Sequence, residues 1–77
     1  MEIKIIAFGQ IADIIGNSIM SINEIKDTEE LRKKLSNAFP QLNEISYGIA
    51  INKKIINKNT EINMGDIVAL LPPFSGG

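Results

Sequence analysis

Cysteine, histidine and tryptophan are all missing from this sequence. Without thiol or imidazole, disulfides, thiolate nucleophiles, Cys/His zinc sites and histidine acid–base chemistry are excluded together. Carboxylates, lysines and hydroxyls are the reactive groups left. If the chain handles sulfur, no cysteine side chain holds it. Aromatic residues are scarce, three Phe and one Tyr, which leaves little surface for stacking bases. Charge of one sign is also scarce: eight basic residues against nine acidic ones give a net charge of -1. Nucleic-acid binding, which needs a basic stripe to neutralise phosphates, is therefore disfavoured. Long hydrophobic runs are absent too. Ile67 to Leu71 falls far short of the roughly 20 residues of a spanning helix, and Lys4 interrupts the N-terminal run, unlike a signal sequence. A cytoplasmic protein is expected, with no membrane partner.

What is present is isoleucine-rich and short: 77 residues make one domain, 1–77, near the lower size limit for an unstapled core. Ile3 to Phe8 is β-branched and reads as a buried strand. Gly9 breaks it. Ile11, Ile14 and Ile15 have helical spacing and Gly16-Asn17 is a stop signal, so a short helical turn precedes a second strand over Ser18 to Ile22. The two strands would pair as an antiparallel hairpin with an enlarged loop.

The clearest helix starts at Asp27, an N-cap with Glu30 three residues on, in a capping-box pattern. Leu31, Leu35, Ala38 and Phe39 form its apolar stripe, Glu29, Arg32, Lys33 and Lys34 face water, and Pro40 ends it. Two strands, Tyr47 to Ile51 and Lys54 to Ile56, flank Asn52-Lys53, where Asn52 can take positive φ in a tight turn. A turn at Asn63-Met64-Gly65-Asp66 feeds the last strand, Ile67 to Leu71, which is apolar throughout and so is placed centrally in the sheet. The order of elements argues for an α+β domain, one main helix on one face of a mixed sheet. First and last strands side by side and parallel would bury both apolar runs, a β-grasp, ubiquitin-like arrangement.

The final residues carry the functional signal. Pro72-Pro73 must end the last strand, since neither proline can donate to a ladder and both hold φ near about -65°. Phe74-Ser75-Gly76-Gly77 follows. A diglycine has no Cβ atoms and can lie extended in a channel that a larger residue would block. Its α-carboxyl, with a pKa of about 3.5, is ionised at neutral pH and a poor electrophile until another protein activates it. The plain alternative is a frayed terminus.

Gly65-Asp66-Ile67-Val68-Ala69-Leu70-Leu71-Pro72-Pro73-Phe74-Ser75-Gly76-Gly77 resembles the C-terminus of the MoaD family, the sulfur-carrier subunits of molybdopterin synthase. The likeness extends to the opening Lys4-Ile5-Ile6-Ala7-Phe8-Gly9-Gln10-Ile11, to the helix from Asp27 through Phe39, and to chain length. Two positions depart from the family pattern: Ala12-Asp13 stands where an Arg-Glu pair is frequent, and Phe74 where a small aliphatic residue is common. The resemblance implies a sulfur donor that is not itself a catalyst. An E1-like adenylating enzyme, using ATP and magnesium, would activate the Gly77 carboxylate, and sulfur would convert it to a thiocarboxylate. The chain itself would bind no cofactor and no metal. The large synthase subunit would be its partner, in a heterotetramer, and would receive the tail 72–77 by insertion of Ser75, Gly76 and Gly77.

Pro72, Pro73, Phe74 and Phe8 are the candidate partner contacts. Phe74 either anchors a partner groove or folds back on its own sheet. Phe8, ending a buried strand, is placed in the core ahead of the interface. Pro72-Pro73 either stiffens the exit, reducing the entropy lost on docking, or merely stops the strand. Lys33, Lys34, Lys53 and Lys54 are expected to be solvated surface, and Asp66 a turn residue. Three other readings remain: a sulfur carrier of thiamine-thiazole biosynthesis, a ubiquitin-like protein modifier, and a β-grasp interaction module with an inert tail.

Overall fold

A computed structural model describes residues 2–72. Five strands form one mixed sheet: β1 (Glu2–Ala7), β2 (Ile19–Asn23), β3 (Gly48–Ile51), β4 (Lys54–Ile56) and β5 (Ile67–Leu71), in the order β2-β1-β5-β3-β4. Helix α1 (Gly9–Ile15) lies within the β1–β2 connection and α2 (Thr28–Ala38) follows β2. β1 and β2 pair antiparallel as the hairpin reading required, and β1 and β5 pair parallel at the centre. This is the β-grasp arrangement expected from the order of elements.

Strand alternation decides which apolar residues are buried. Ile3, Ile5 and Ala7 of β1, Val68 and Leu70 of β5, and Ile49 and Ile51 of β3 face inward. Ile11 of α1 and Leu31 and Leu35 of α2 cover them. The apolar run of β5 is central but is buried on one face only, since its residues alternate between buried and accessible positions. Both helices supply buried residues to the same core, and Ile67 on the other face stays exposed. Phe8 departs further from expectation: it is 47% exposed and not core. The reason is parity, because Ala7 points inward and the next residue along the strand must point to the opposite face.

Helix α2 begins as read, with one shift. Asp27 caps it, accepting from the Glu30 amide at 2.9 Å, while Glu30 accepts from the Lys26 amide, one residue before the usual capping-box partner. The backbone bond from Glu30 holds the Asp27 carboxyl below its ordinary value. Buried Thr28 ties the helix start to a distant turn. Its amide donates to the Thr60 carbonyl and its hydroxyl accepts from the Thr60 amide, both at 3.0 Å. Ala38, assigned to the apolar stripe, is exposed at the helix end, while Leu35 and Phe39 keep the stripe on the core. Pro40 does more than stop the helix: it opens a 3-10 turn, Pro40–Glu44, that buries Leu42. Ile25 and Ile62, in connections, are also core.

Turn chemistry agrees with the sequence at two places. Asn52 and Lys53 both have positive φ, 48° and 72°, the signature of a tight primed turn between β3 and β4. Gly16, at φ 89°, closes α1 with its amide on the Ala12 carbonyl.

Candidate functional site

The site is built where β1 and β5 leave the sheet together. Their register pairs Ala7 with Leu70, and the Phe8 amide donates to the Leu70 carbonyl at 3.3 Å. One step further, both strands stop. Gly9 turns to φ 56° and opens α1, while Pro72 has no amide with which to continue the ladder. The Pro72 ring sits against Gly9, so that a Cβ built on Gly9 would lie 3.4 Å from Pro72 Cγ and 3.6 Å from Pro72 Cβ. Pro72 is half-buried by this contact region.

The far end of β5 is fixed as firmly. The Asn52 side chain accepts from the Ile67 amide at 3.0 Å and donates to Asp66 Oδ1 at 2.9 Å. The Asn63 amide donates to Asp66 Oδ2 at 2.8 Å, and the Asn52 amide to the Ile67 carbonyl at 2.8 Å. These bonds set the register of β5 against the β3–β4 hairpin, and so the level at which Pro72 emerges. They also hold the Asp66 carboxyl below its ordinary value, first through the Asn63 amide and then through Asn52. Asp66 is thus the turn residue that its sequence context suggested.

Beside the exit lies an apolar sheet face. The strand registers align Ile19, Ile6, Ala69, Ala50 and Ile55 in one row across all five strands. Ile19 is 57% exposed and Ile55 62%. Phe8 and Ile67 share this face by strand parity and are exposed as well. The middle of the row is closed, Ala50 being buried and Ile6 and Ala69 half-buried, so the apolar exposure lies at Phe8, Ile19, Ile55 and Ile67. Sequence reasoning named only Phe8 from this face. A signal was available, since β5 is apolar at both strand phases while the chain holds one long helix, enough to cover one side.

Of the residues singled out from sequence, Phe8 and Pro72 both lie at the exit, Phe8 bonded to the Leu70 carbonyl and Pro72 against Gly9. Pro73, Phe74, Ser75, Gly76 and Gly77 lie outside the described residues. Lys33, Lys34, Lys53 and Lys54 are exposed, and Lys34 Nζ donates to the Asn23 carbonyl at the end of edge strand β2. Among the described residues no group of three or more His, Cys, Asp or Glu side chains could hold a metal ion, and no helix is long and apolar enough to cross a membrane.

Known proteins share this arrangement. The ThiS family pattern matches residues 5–77. A molybdopterin synthase sulfur carrier subunit from Dictyostelium discoideum is 31% identical, the match covering 99% of this chain and 96% of the relative. In a solved complex of subunits 1 and 2 of the molybdopterin-converting factor from Helicobacter pylori, the matching chain is 32% identical, covered in full on both sides, with a TM-score of 0.73. Small archaeal modifier protein 1 from Methanosarcina acetivorans shares the fold at 22% identity, with a TM-score of 0.83 over 99% of this chain and 96% of that one. With its β-grasp sheet and a match that runs to the last residue, this chain belongs to the ThiS family and is a homologue of the molybdopterin synthase sulfur carrier subunits.

Proposed function

We propose that this chain carries sulfur on its Gly77 carboxyl for molybdopterin synthesis and is a donor subunit without catalytic residues of its own. A carboxylate is a resonance-stabilised anion, so attack by sulfur requires prior activation. An E1-like enzyme would join a Gly77 oxygen to the α-phosphorus of ATP, with magnesium, releasing pyrophosphate and leaving an acyl-adenylate. A persulfide sulfur then displaces AMP, and cleavage of its S–S bond by a thiol leaves a thiocarboxylate. Inserted into the large subunit of molybdopterin synthase, that sulfur would be donated to the pyranopterin precursor. ATP and magnesium belong to the activating enzyme; the chain binds neither. A cytoplasmic site of action accords with this chemistry.

One observation supports this reading: β5 ends at Pro72 beside the face that exposes Phe8, Ile19, Ile55 and Ile67, so a protein seated on that face would lie next to the point where the tail begins. The 31% identity to a sulfur carrier subunit supports the same partner. Ser75, Gly76 and Gly77 would enter the partner's channel, Gly76 and Gly77 because they have no side chains to obstruct it. Phe74 and Phe8 would serve as apolar anchors, and Pro72-Pro73 would limit the entropy lost when the tail docks.

The test is incubation with an activating enzyme, ATP and a persulfide donor, followed by mass spectrometry of the intact chain. Replacement of one oxygen by one sulfur at Gly77 is expected; an unchanged mass with every cognate activator overturns the reading. Capture of a molybdopterin synthase large subunit is expected in a pull-down. Capture of a thiazole synthase instead, or ladders of protein conjugates on a gel, would move the chain to the thiamine pathway or to protein modification.

A further inference from the structure

We infer that the free edge of β2, with the groove between β2 and α2, binds an extended segment of a partner protein, one that adds a strand to the sheet, seats apolar side chains in the groove and carries a carboxylate at the Asn23 end. This surface goes beyond the sulfur-carrier reading and does not rest on it. β2 is an edge strand of five residues, whereas β4, the other edge, has three. Antiparallel pairing turns the backbone groups of every second residue toward the neighbouring strand and those of the others away from it. The Ala7 amide donates to the Ser18 carbonyl, and the register from there makes Met20 and Ile22 the residues bonded to β1. Ile19, Ser21 and Asn23 therefore point their backbone groups outward. Lys34 of α2 agrees with this parity, since its Nζ reaches the Asn23 carbonyl at 3.0 Å. The N–H and C=O of both Ile19 and Ser21 are left for a further strand, the mode in which a sheet edge takes up an extended peptide.

Side chains of an added strand alternate between the two sides of the sheet. On the helix side they meet a groove walled by Met20 and Ile22 of β2 and by Leu35, Ala38 and Phe39 at the end of α2 and just beyond it. Met20 and Ile22 pair with buried Ile5 and Ile3, so they lie on the core face, yet at the edge of the sheet they are only half-buried. Apolar side chains laid against them leave water. Lys34 is the one charged residue on the groove wall. Its ammonium uses one of its donors on Asn23 and keeps others for an anion. That charge selects the occupant. A second copy of this chain, paired strand to strand about Ser21, would set its Ile19 opposite Asn23 and bring no acid to Lys34. A foreign strand with Asp or Glu at that end satisfies the edge, the groove and the ammonium together. The groove opens on the side of the sheet away from Phe8, Ile55 and Ile67, so a protein seated on that other face leaves it accessible.

The probe is a short peptide, acetylated and amidated, in which valine and threonine alternate and one end carries aspartates. It is titrated into the isotope-labelled full-length chain and followed by amide NMR. Shifts are expected along β2 and in the second half of α2, not at Ile55 or Ile67. Lys34→Glu should weaken binding by about fivefold and favour a peptide with lysines in place of the aspartates. Ala38→Gln, which crowds the groove, should weaken it as well. Both positions are exposed, so both variants keep the fold. Methylation of alternate peptide amides separates strand addition from looser contact: the set that faces β2 abolishes binding when methylated, and the set that faces away is tolerated.

The absence of any shift at about 1 mM peptide overturns the inference. So do shifts centred on Ile55 and Ile67, equal affinity of the parent chain for the acidic and the basic peptide, or an equal loss with either methylated set. A peptide-free chain that sediments as a dimer, with its β2 amides protected from exchange, overturns it too, because a second copy then holds the edge.

Discussion

Asp66 shows how much one half-buried residue's carboxylate can organise. It accepts from the Asn63 amide and from Asn52 Nδ2, and Asn52 in turn holds the Ile67 amide at the start of β5. Its carboxyl is lowered from the ordinary 3.8 because these bonds favour the charged form. The sign follows directly: the stabilisation is complete above the ordinary unfolded value and is lost as pH falls through the lower folded value. Asp66→Asn, which cannot accept two bonds in the same way, should cost about 1 kcal/mol at neutral pH, below the usual range for hydrogen bonds to charged groups because the site is wet. Urea midpoints measured by circular dichroism check this. The gap between parent and variant should close as the solution is taken below pH 3.8, and a gap that stays constant would show that Asp66 does not act through its charge.

At the scale of elements, α2 is placed by its ends as much as by its apolar stripe. Leu31 and Leu35 press it onto the sheet, and Thr28 pins its first turn to Thr60 through a reciprocal pair of bonds. Thr28 is buried to 3% exposure, so Thr28→Val keeps the shape and removes the acceptor for the Thr60 amide. A loss of about 1–3 kcal/mol is expected on chemical denaturation, the cost of a donor left without its partner. A variant as stable as the parent would mean that water replaces the hydroxyl without penalty. The capping signal of α2 was readable in sequence because a cap is local, Asp27 to Glu30. The pin to Thr60 was not, since residues 28 and 60 become neighbours only after the sheet has formed.

For the whole molecule, the governing fact is that the helical elements pack into a core on one side of a five-stranded sheet. Ile19 and Ile55, at the two ends of the row on the other face, are exposed and therefore add little to folding. Ile55→Glu should change unfolding free energy by no more than about 0.5 kcal/mol, as for other exposed positions. Binding to a molybdopterin synthase large subunit, measured by calorimetry, should weaken at least tenfold, on the order of 1.4 kcal/mol, if the face is the docking surface. Unchanged affinity would locate the contact elsewhere. Substitution of Leu70, fully buried in the central strand, is the converse control: Leu70→Ala should cost about 2–5 kcal/mol of stability, read as a fall in the urea midpoint.

Local chemistry determined the elements of this protein and their order. Isoleucine alternation marked the strands, Asp27 and Gly16 marked helix ends, Asn52 marked the primed turn, and the block ending in Gly76-Gly77 marked the family. Even the parallel pairing of β1 and β5 was legible, as the arrangement that shelters two apolar runs. What only the tertiary structure decided was sidedness and long-range contact. Whether Phe8 is core or surface depends on strand parity relative to Ala7 and on which face the helices cover, and a continuous apolar run conceals parity. Leu42, Ile25 and Ile62 became core because connections with no periodicity of their own close over it. The seating of Pro72 on Gly9 joins residues more than sixty positions apart, and only the pairing of the first strand with the last brings them together.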